Sequence, residues 1–297
     1  MASAAPLDRE ALVAAAGETI RNGSKSFHAA SRLFDRQARE RAWLLYSWCR
    51  HCDDVCDGQS LGGAATGGSG ADRVEKLEDL TRRTLAGERV GELPFDALGQ
   101  VMAECPIPHA FVFDHLKGFA LDAQGWRPQD EADLTTYSYH VAGAVGCMMA
   151  VAMGVPADDE DTLHRASDLG IAFQLSNIAR DVREDHTAGR CYLPTEWLDE
   201  YGLDPADPLR PQTREGLVRL VRRMVDMADA YESSALTGVR KLPFRSRWAI
   251  LAAAGIYGGI GRKVAALGAN AWDERVVIRR RRKLLTIVSA FGGALAA

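Results

Sequence analysis

Two stretches of this sequence place acidic residues at a spacing that can do chemistry. In Gln174-Leu-Ser-Asn177-Ile-Ala-Arg180-Asp181-Val-Arg-Glu-Asp185, the residues Gln174, Asn177, Asp181 and Asp185 fall at i, i+3, i+7 and i+11. On a helix these two amides and two carboxylates share one stripe, while Phe173, Ile178 and Val182 lie elsewhere. In Tyr46-Ser-Trp-Cys-Arg50-His-Cys-Asp53-Asp54-Val-Cys-Asp57, the residues Tyr46, Arg50, Asp53 and Asp57 fall at i, i+4, i+7 and i+11. Carboxylates one turn apart repel, by roughly a few tenths of a kcal/mol on an exposed helix and more where water is excluded. Two such pairs, far apart in the chain, predict two walls facing one pocket with a cation between them. An all-oxygen Asp/Asn set suits Mg2+ or Mn2+ better than Zn2+, and Mg2+ uses one or two carboxylates, several waters and phosphate oxygens. The implied ligand is a phosphate ester. A solvated helix face is the simpler reading of a single D-x-x-x-D. It does not account for two copies, nor for Gln174 and Asn177 running the second stripe into Gly170-Ile-Ala-Phe-Gln-Leu-Ser-Asn-Ile-Ala, where unpartnered amides are costly to bury.

Three further stretches join these motifs: Ser24-Lys25-Ser26-Phe27, Tyr137-Ser-Tyr139-His-Val141-Ala142-Gly143-Ala-Val-Gly146 and Gly189-Arg-Cys-Tyr192-Leu-Pro194. Together, from about Asn22 to about Arg282, the chain closely resembles the squalene/phytoene synthase family, in particular its bacterial phytoene-forming members. The resemblance implies an all-α fold, a single-domain helical bundle of the trans-isoprenoid (class I terpenoid) synthase type around a central cavity. It implies head-to-head condensation of two prenyl diphosphates. In phytoene-forming members both are geranylgeranyl diphosphate, and the path runs through prephytoene diphosphate to phytoene, the first committed step of carotenoid biosynthesis.

Carried onto this sequence, the resemblance implies that Asp53 and Asp57 hold Mg2+ or Mn2+ on one wall and Asn177, Asp181 and Asp185 on the other. The four aspartates and Tyr137 form the implied catalytic set. Lys25, Arg50, Arg180 and Arg275 are expected to grip the diphosphates, with Ser24, Ser26, Tyr46 and Gln174 beside them. Carbocations react with water, so the cavity must be dry; Phe27, Tyr137, Val141, Ala142, Val145, Phe173 and Tyr257 are the matching lining. Phytoene formation requires no NADPH, and neighbouring carotenoid-pathway enzymes are the implied partners. The alternatives are a squalene or dehydrosqualene synthase using farnesyl diphosphate, and a non-catalytic binding or assembly protein of the same fold. The latter has no need of both metal motifs.

The elements that must position these residues read as helices throughout. Asp8–Arg21 is amphipathic and stops at Asn22-Gly23, Ser24-Lys25-Ser26 is a loop, and Asp35–Asp57 is a long helix. The glycine-rich Gly58–Ala71 reads as a lid or a slack connection. Helices are expected at Ala71–Ala86, Pro94–Glu104 and His109–Ala123, where Asp122 reads as a surface carboxylate with the pocket rim as the alternative. Asp130–Gly154 contains the uncharged run Val141–Ala157, whose small residues leave room for an apolar ligand or allow close helix packing. Helices at Asp158–Asp185, Leu217–Leu236, Ser246–Leu267 and about Asp273–Leu295 complete the set. The glycines of Ala254–Gly261 read as packing positions.

Composition agrees. With 297 residues, 47% hydrophobic and no dividing linker, one domain spanning 1–297 is expected. A net charge of −4 gives no electrostatic case for nucleic acid. The one dense basic run, Arg279-Arg-Arg-Arg-Lys283, reads as a solvated helix face, or else as contact with phosphate or anionic lipid. Six cysteines make no disulfide scaffold, Cys49, Cys52 and Cys56 read as packing residues, and no apolar leader is visible. The expected setting is cytoplasmic, with peripheral membrane contact because substrate and product are long hydrocarbons.

Overall fold

Short polar side chains set where the helices begin. The Asp8 carboxylate accepts the Ala11 amide at 2.8 Å and starts α1 (Arg9–Gly23). The Ser24 hydroxyl accepts the Phe27 amide at 3.2 Å and starts α2 (Lys25–Ser31). The stretch expected as a loop is therefore a helix N-terminus, because an extended serine ahead of orphan amides caps them. The computed structural model describes residues 8–56 and 69–296, with the backbone alone at Lys25 and Ser26. Of the expected site residues, Asp57 lies outside the described residues, as do the side chains of Lys25 and Ser26 and most of the glycine-rich segment.

The long α3 (Arg36–Cys56) is followed by α4 (Gly70–Leu85), opened by a reciprocal Ser69/Asp72 capping box, then α5 (Leu93–Glu104) and α6 (His109–Ala123). Arg9 of α1 donates to Glu40 of α3 and Glu104 of α5, both at 2.6 Å, and ties the three helices together. The expected Asp130–Gly154 helix is three pieces: α7 (Glu131–Ser138), a π-helical turn over Tyr139–Gly143, and α8 (Ala144–Ala152). Then come α9 (Glu160–Thr187), capped by Asp159 on the Thr162 amide, the short α10 (Thr195–Glu200), α11 (Arg214–Gly238), α12 (Phe244–Leu267) and α13 (Arg280–Ala296). No strand occurs among the described residues. The all-α expectation stands, with two corrections. The six-residue α10 is too short to show a period, and the last helix begins at Arg280 rather than Asp273. Residues 271–279 stay irregular because their side chains and carbonyls are bonded elsewhere: Trp272 Nε1 donates to the Ala179 carbonyl, Arg275 to Asp181, and Lys263 Nζ to the Val277 carbonyl.

At the centre lies α9, packed by α7, the π turn, α8, α11 and α12. Its approach to the π turn and to α8 is backbone on backbone. A Cβ at Gly170 would sit 2.2 Å from the Ala142 carbonyl oxygen, and one at Gly146 would sit 2.3 Å from that of Ala166. The small residues of the uncharged run thus do both things open to them. Gly146 gives close packing, while Ala142 and Gly146 also border a cavity. In α12, Gly258 and Gly261 pack on Glu232 and Ser176, as expected of packing glycines. Two apolar cores flank the middle of the molecule, one around Trp48, Leu98, Leu116 and Met148, the other around Leu175, Trp197, Leu217 and Met224. Cys52 belongs to the first, and burial pushes the Cys49 thiol up to about 12, so both act as packing residues.

Gly170→Ala should destabilise the fold by an amount at the upper end of the ~1–3 kcal/mol typical of overpacking, since a backbone carbonyl cannot step aside as a side chain can. An unchanged melting temperature would show that the contact between α9 and the π turn is looser than described.

Candidate active site

A polar chamber of about 780 Å3 opens between α3 and α9. From α3 it takes Tyr46, Arg50, Asp53 and Cys56; from α9 it takes Gln174, Asn177, Arg180, Asp181 and Asp185. The two stripes read from spacing do face one cavity. Ser24 joins from the α2 cap, and Arg275 reaches in from the irregular segment before α13.

Charge is distributed unevenly along the α9 stripe. At Asp181 the helix loses regular geometry (φ −94°, ψ 15°), and Trp272 Nε1 takes the nearby Ala179 carbonyl at 3.0 Å. Burial opposes ionisation of Asp181, but hydrogen bonds from Arg180 and Arg275 outweigh it and hold the carboxyl below its usual range. The Arg180 Nε bond measures 2.6 Å, and Arg275 Nε and Nη2 donate at 3.0 and 3.1 Å. Asp185, one turn on, is raised to about 7 by burial and then by the neighbouring Asp181, with Arg190 the chief opposing cation. On the facing wall Arg50 donates to Asp53 at 2.8 Å and also pairs with the buried Asp54. Asp54, which lies off the acidic stripe, thus anchors the guanidinium.

These donors suit a hard divalent cation: carboxylate and amide oxygens, with too much negative charge at Asp185 for its own surroundings. Among the described residues no three His, Cys, Asp or Glu side chains stand close enough to hold a metal by themselves. A cation between the walls would draw further oxygens from water or a ligand.

Three polar residues of the chamber, Asp122, Arg190 and Tyr192, carry more of it than their sequence reading assigned. Asp122, expected at the surface, lines it and accepts from Tyr137 OH at 3.0 Å and Tyr192 OH at 2.8 Å. A carboxylate in the last turn of α6 opposes the helix dipole, so the two phenols offset an unfavourable placement. Tyr192 and Arg190 arrive because Gly189, at φ 75°, reverses the chain and returns the Arg190 amide to the Asp185 carbonyl at 2.8 Å. Both stood in a quoted motif without a role. Asp122 takes the pocket-rim alternative rather than the surface; its partners lie 15 and 70 positions away, which local spacing does not reveal.

Next to the polar chamber lies an apolar one of about 460 Å3. It shares Tyr46, Arg50, Asp53, Phe119, Val141, Asn177 and Tyr257 with the first, so the two are continuous. Phe27, Val141, Ala142, Val145, Phe173 and Tyr257 line it as expected, with Phe173 and Tyr257 stacked at 4.7 Å. Tyr137 does not. Its ring is sandwiched between Trp126 and Tyr192 at 5.5 and 4.9 Å, and it meets the polar chamber instead. The π turn adds a residue to the helical repeat and so shifts Val141 and Ala142 on the wall. His115 is kept neutral there: burial lowers it to about 4, and its Nδ1 pairs with the His140 carbonyl at 3.2 Å.

The squalene/phytoene synthase profile matches residues 20–282. A 15-cis-phytoene synthase of Pantoea ananas is 45% identical over 292 residues, 97% of this chain and 94% of that protein. One of Enterobacter agglomerans is 46% identical over 275 residues, 92% of each chain. A dehydrosqualene synthase crystal structure superposes with a TM-score of 0.86 at 25% identity, covering 97% of this chain and 98% of the other. The squalene synthase HpnC of Alicyclobacillus acidocaldarius has the same fold, with a TM-score of 0.77 at 22% identity over 89% and 97% of the two chains. With two facing acidic walls opening onto an apolar chamber, this chain belongs to the squalene/phytoene synthase family.

Proposed function

We propose that this protein is a phytoene synthase, joining two geranylgeranyl diphosphates head to head. The observation that carries the reading is the continuity of the polar and apolar chambers across Tyr46, Arg50, Asp53 and Asn177. A prenyl diphosphate has one charged end and one long apolar tail, and this cavity has a compartment for each. The choice of a C20 over a C15 substrate is supported by the relatives at 45 and 46% identity.

The hard step is expulsion of diphosphate from an allylic carbon. Arg50, Arg180 and Arg275 are placed to take up the negative charge that develops on the leaving group, and Ser24 and Tyr46 to hydrogen-bond it. Mg2+ or Mn2+, held by Asp53, Asp57, Asn177, Asp181 and Asp185, would supply further charge neutralisation. The first cation is trapped by the double bond of the second substrate, and proton loss closes the cyclopropane of prephytoene diphosphate. Loss of the second diphosphate, rearrangement and a second proton loss give phytoene. Across the sequence, two diphosphates and two protons leave, and no reductant is consumed. Phe27, Phe173 and Tyr257 keep water from the cations, and a neutral His115 adds no charge to repel them.

Purified protein incubated with geranylgeranyl diphosphate and Mg2+, without NADPH, should yield a C40 hydrocarbon in the organic extract, and EDTA should abolish it. A C30 product from farnesyl diphosphate alone would overturn the assignment. Asp53→Asn should lower turnover by at least about 100-fold, the scale for losing one transition-state contact. Its half-exposed side chain predicts an unchanged melt, whereas Asp181→Asn should cost both activity and stability, because two guanidiniums lose their charged partner. Full activity in either variant would refute the two-wall arrangement. Asp122→Ala should reduce kcat about 10- to 100-fold by freeing Tyr137 and Tyr192. Tyr137→Phe should reproduce most of that loss, and the double variant should be little worse than either. Additive losses would show that Asp122 acts independently of Tyr137.

A further inference from the structure

Outside the cavity, the least expected surface is on α13. Leu284, Val288, Phe291 and Leu295 recur at i, i+4, i+7 and i+11, which puts them on one face of the helix. Three of them are largely uncovered: Leu284 is 55% exposed, Val288 70% and Leu295 67%, with Leu285 beside them at 67%. The flank turned toward α12 carries the buried Ala290 and Ala294. It is pinned to α12, where Trp248 Nε1 donates to the Ile287 carbonyl at 2.8 Å and Arg247 to that of Ala294 at 3.2 Å. Phe291 is held edge-on by Phe244 and Trp248. This is a fixed helix with a continuous apolar stripe turned outward, and such a stripe on a well-packed protein marks a contact surface.

Charge identifies the partner. Arg279, Arg280, Arg281 and Arg282 are all exposed, in a chain whose net charge is −4. Arg280 and Arg281 stand four and three residues before Leu284, on the same face and one turn closer to the helix start. An apolar stripe with arginines along its edge fits the interface of an anionic bilayer, with side chains among the acyl chains and guanidiniums at the phosphates. A second copy of this chain fits less well, because α13 contains no Asp or Glu, so a two-fold contact of α13 on α13 would cover the stripe and give the arginines no anionic partner.

The same stretch borders the cavity. Val276, Val277, Ile278 and Lys283 line the polar chamber, and Val277 is also 60% exposed. We propose that the outer face of α13 docks flat on an anionic membrane surface through Leu284, Leu285, Val288 and Leu295, with Arg280 and Arg281 at the phosphates. Docking sets the Val276–Ile278 wall of the cavity against the lipid. Given the proposed reaction, this brings the polar, diphosphate-binding end of the cavity next to the headgroups; docking itself does not depend on that reaction.

The test is flotation of the full chain with vesicles of phosphatidylcholine alone or with about one-third phosphatidylglycerol. Binding to the anionic vesicles, weakened by salt, is expected. The triple variant Leu284→Ser/Val288→Ser/Leu295→Ser and the double variant Arg280→Gln/Arg281→Gln should each lower partitioning by about tenfold or more. Both should leave turnover in detergent unchanged. In Val288→Trp, tryptophan emission should shift to the blue when anionic vesicles are added. Wild-type partitioning in both multiple variants, or no blue shift, would overturn the proposal. So would a dimer in light scattering that the serine variant disperses, which would assign the stripe to a second copy. Because flotation needs no substrate, failure of the phytoene assay would leave this result standing.

Discussion

Several carboxylates share a chamber whose floor is hydrocarbon, and their mutual repulsion is the constraint on which the rest of the structure depends. Two unit charges 4 Å apart interact by about 4 kcal/mol at an effective dielectric of 20, a large fraction of any domain's stability. The chain answers this unevenly. Asp181 is held between Arg180 and Arg275, and Asp53 is balanced by an Arg50 that the buried Asp54 anchors from behind. Among the described residues Asp185 has no comparable partner, and burial, with Asp181 beside it, raises its proton affinity. A site that leaves one carboxyl in this state is poised for a cation arriving with its own anionic ligand.

That requirement accounts for much of the architecture. A helix bearing Gln174, Asn177, Asp181 and Asp185 on one face and Leu175, Ile178 and Val182 in the core can only be central. Its neighbours must come close without filling the cavity, and Gly170 and Gly146 let α9 meet the π turn and α8 through their backbones. The π turn then adjusts the wall where Val141 and Ala142 face the ligand space. The Trp126–Tyr137–Tyr192 stack, closed by Asp122, forms a rigid polar rim next to the acidic stripe. Phenols bonded to a carboxylate present their ring edges in a fixed direction, which a mobile tyrosine would not do.

How much of this was legible follows from which features are local. Helical spacing alone paired Asp181 with Asp185 and Tyr46 with Arg50 and Asp53, and both stripes reach the chamber, because period is a property of neighbouring residues. The apolar lining was legible through the family resemblance, apart from Tyr137. That tyrosine was misplaced because its surroundings are set by Trp126 and Tyr192, and nothing near position 137 reveals a stack with a residue 55 positions away. The pocket rim was only the second reading of Asp122 for the same reason. Ser24 was given the right neighbourhood and the wrong conformation: a serine before Lys-Ser-Phe reads equally as a turn or a cap, and only the Phe27 amide decides between them.

Residues 271–279 show where local propensity gives way. Asp273-Glu-Arg-Val-Val-Ile contains nothing that forbids a helix, and continuing α13 backwards through it would satisfy its own amides. Three bonds to distant elements compete. Trp272 reaches the Ala179 carbonyl beside the α9 kink, Arg275 neutralises Asp181, and Lys263 takes the Val277 carbonyl. Each is available only once α9 and α12 are in place, and the Arg275 bond meets a need that no helical geometry of this segment would serve. The segment stays irregular beside the chamber while Arg275 bonds the acidic stripe, and the helix resumes at Arg280. The electrostatics of the site thus help set where the next helix begins.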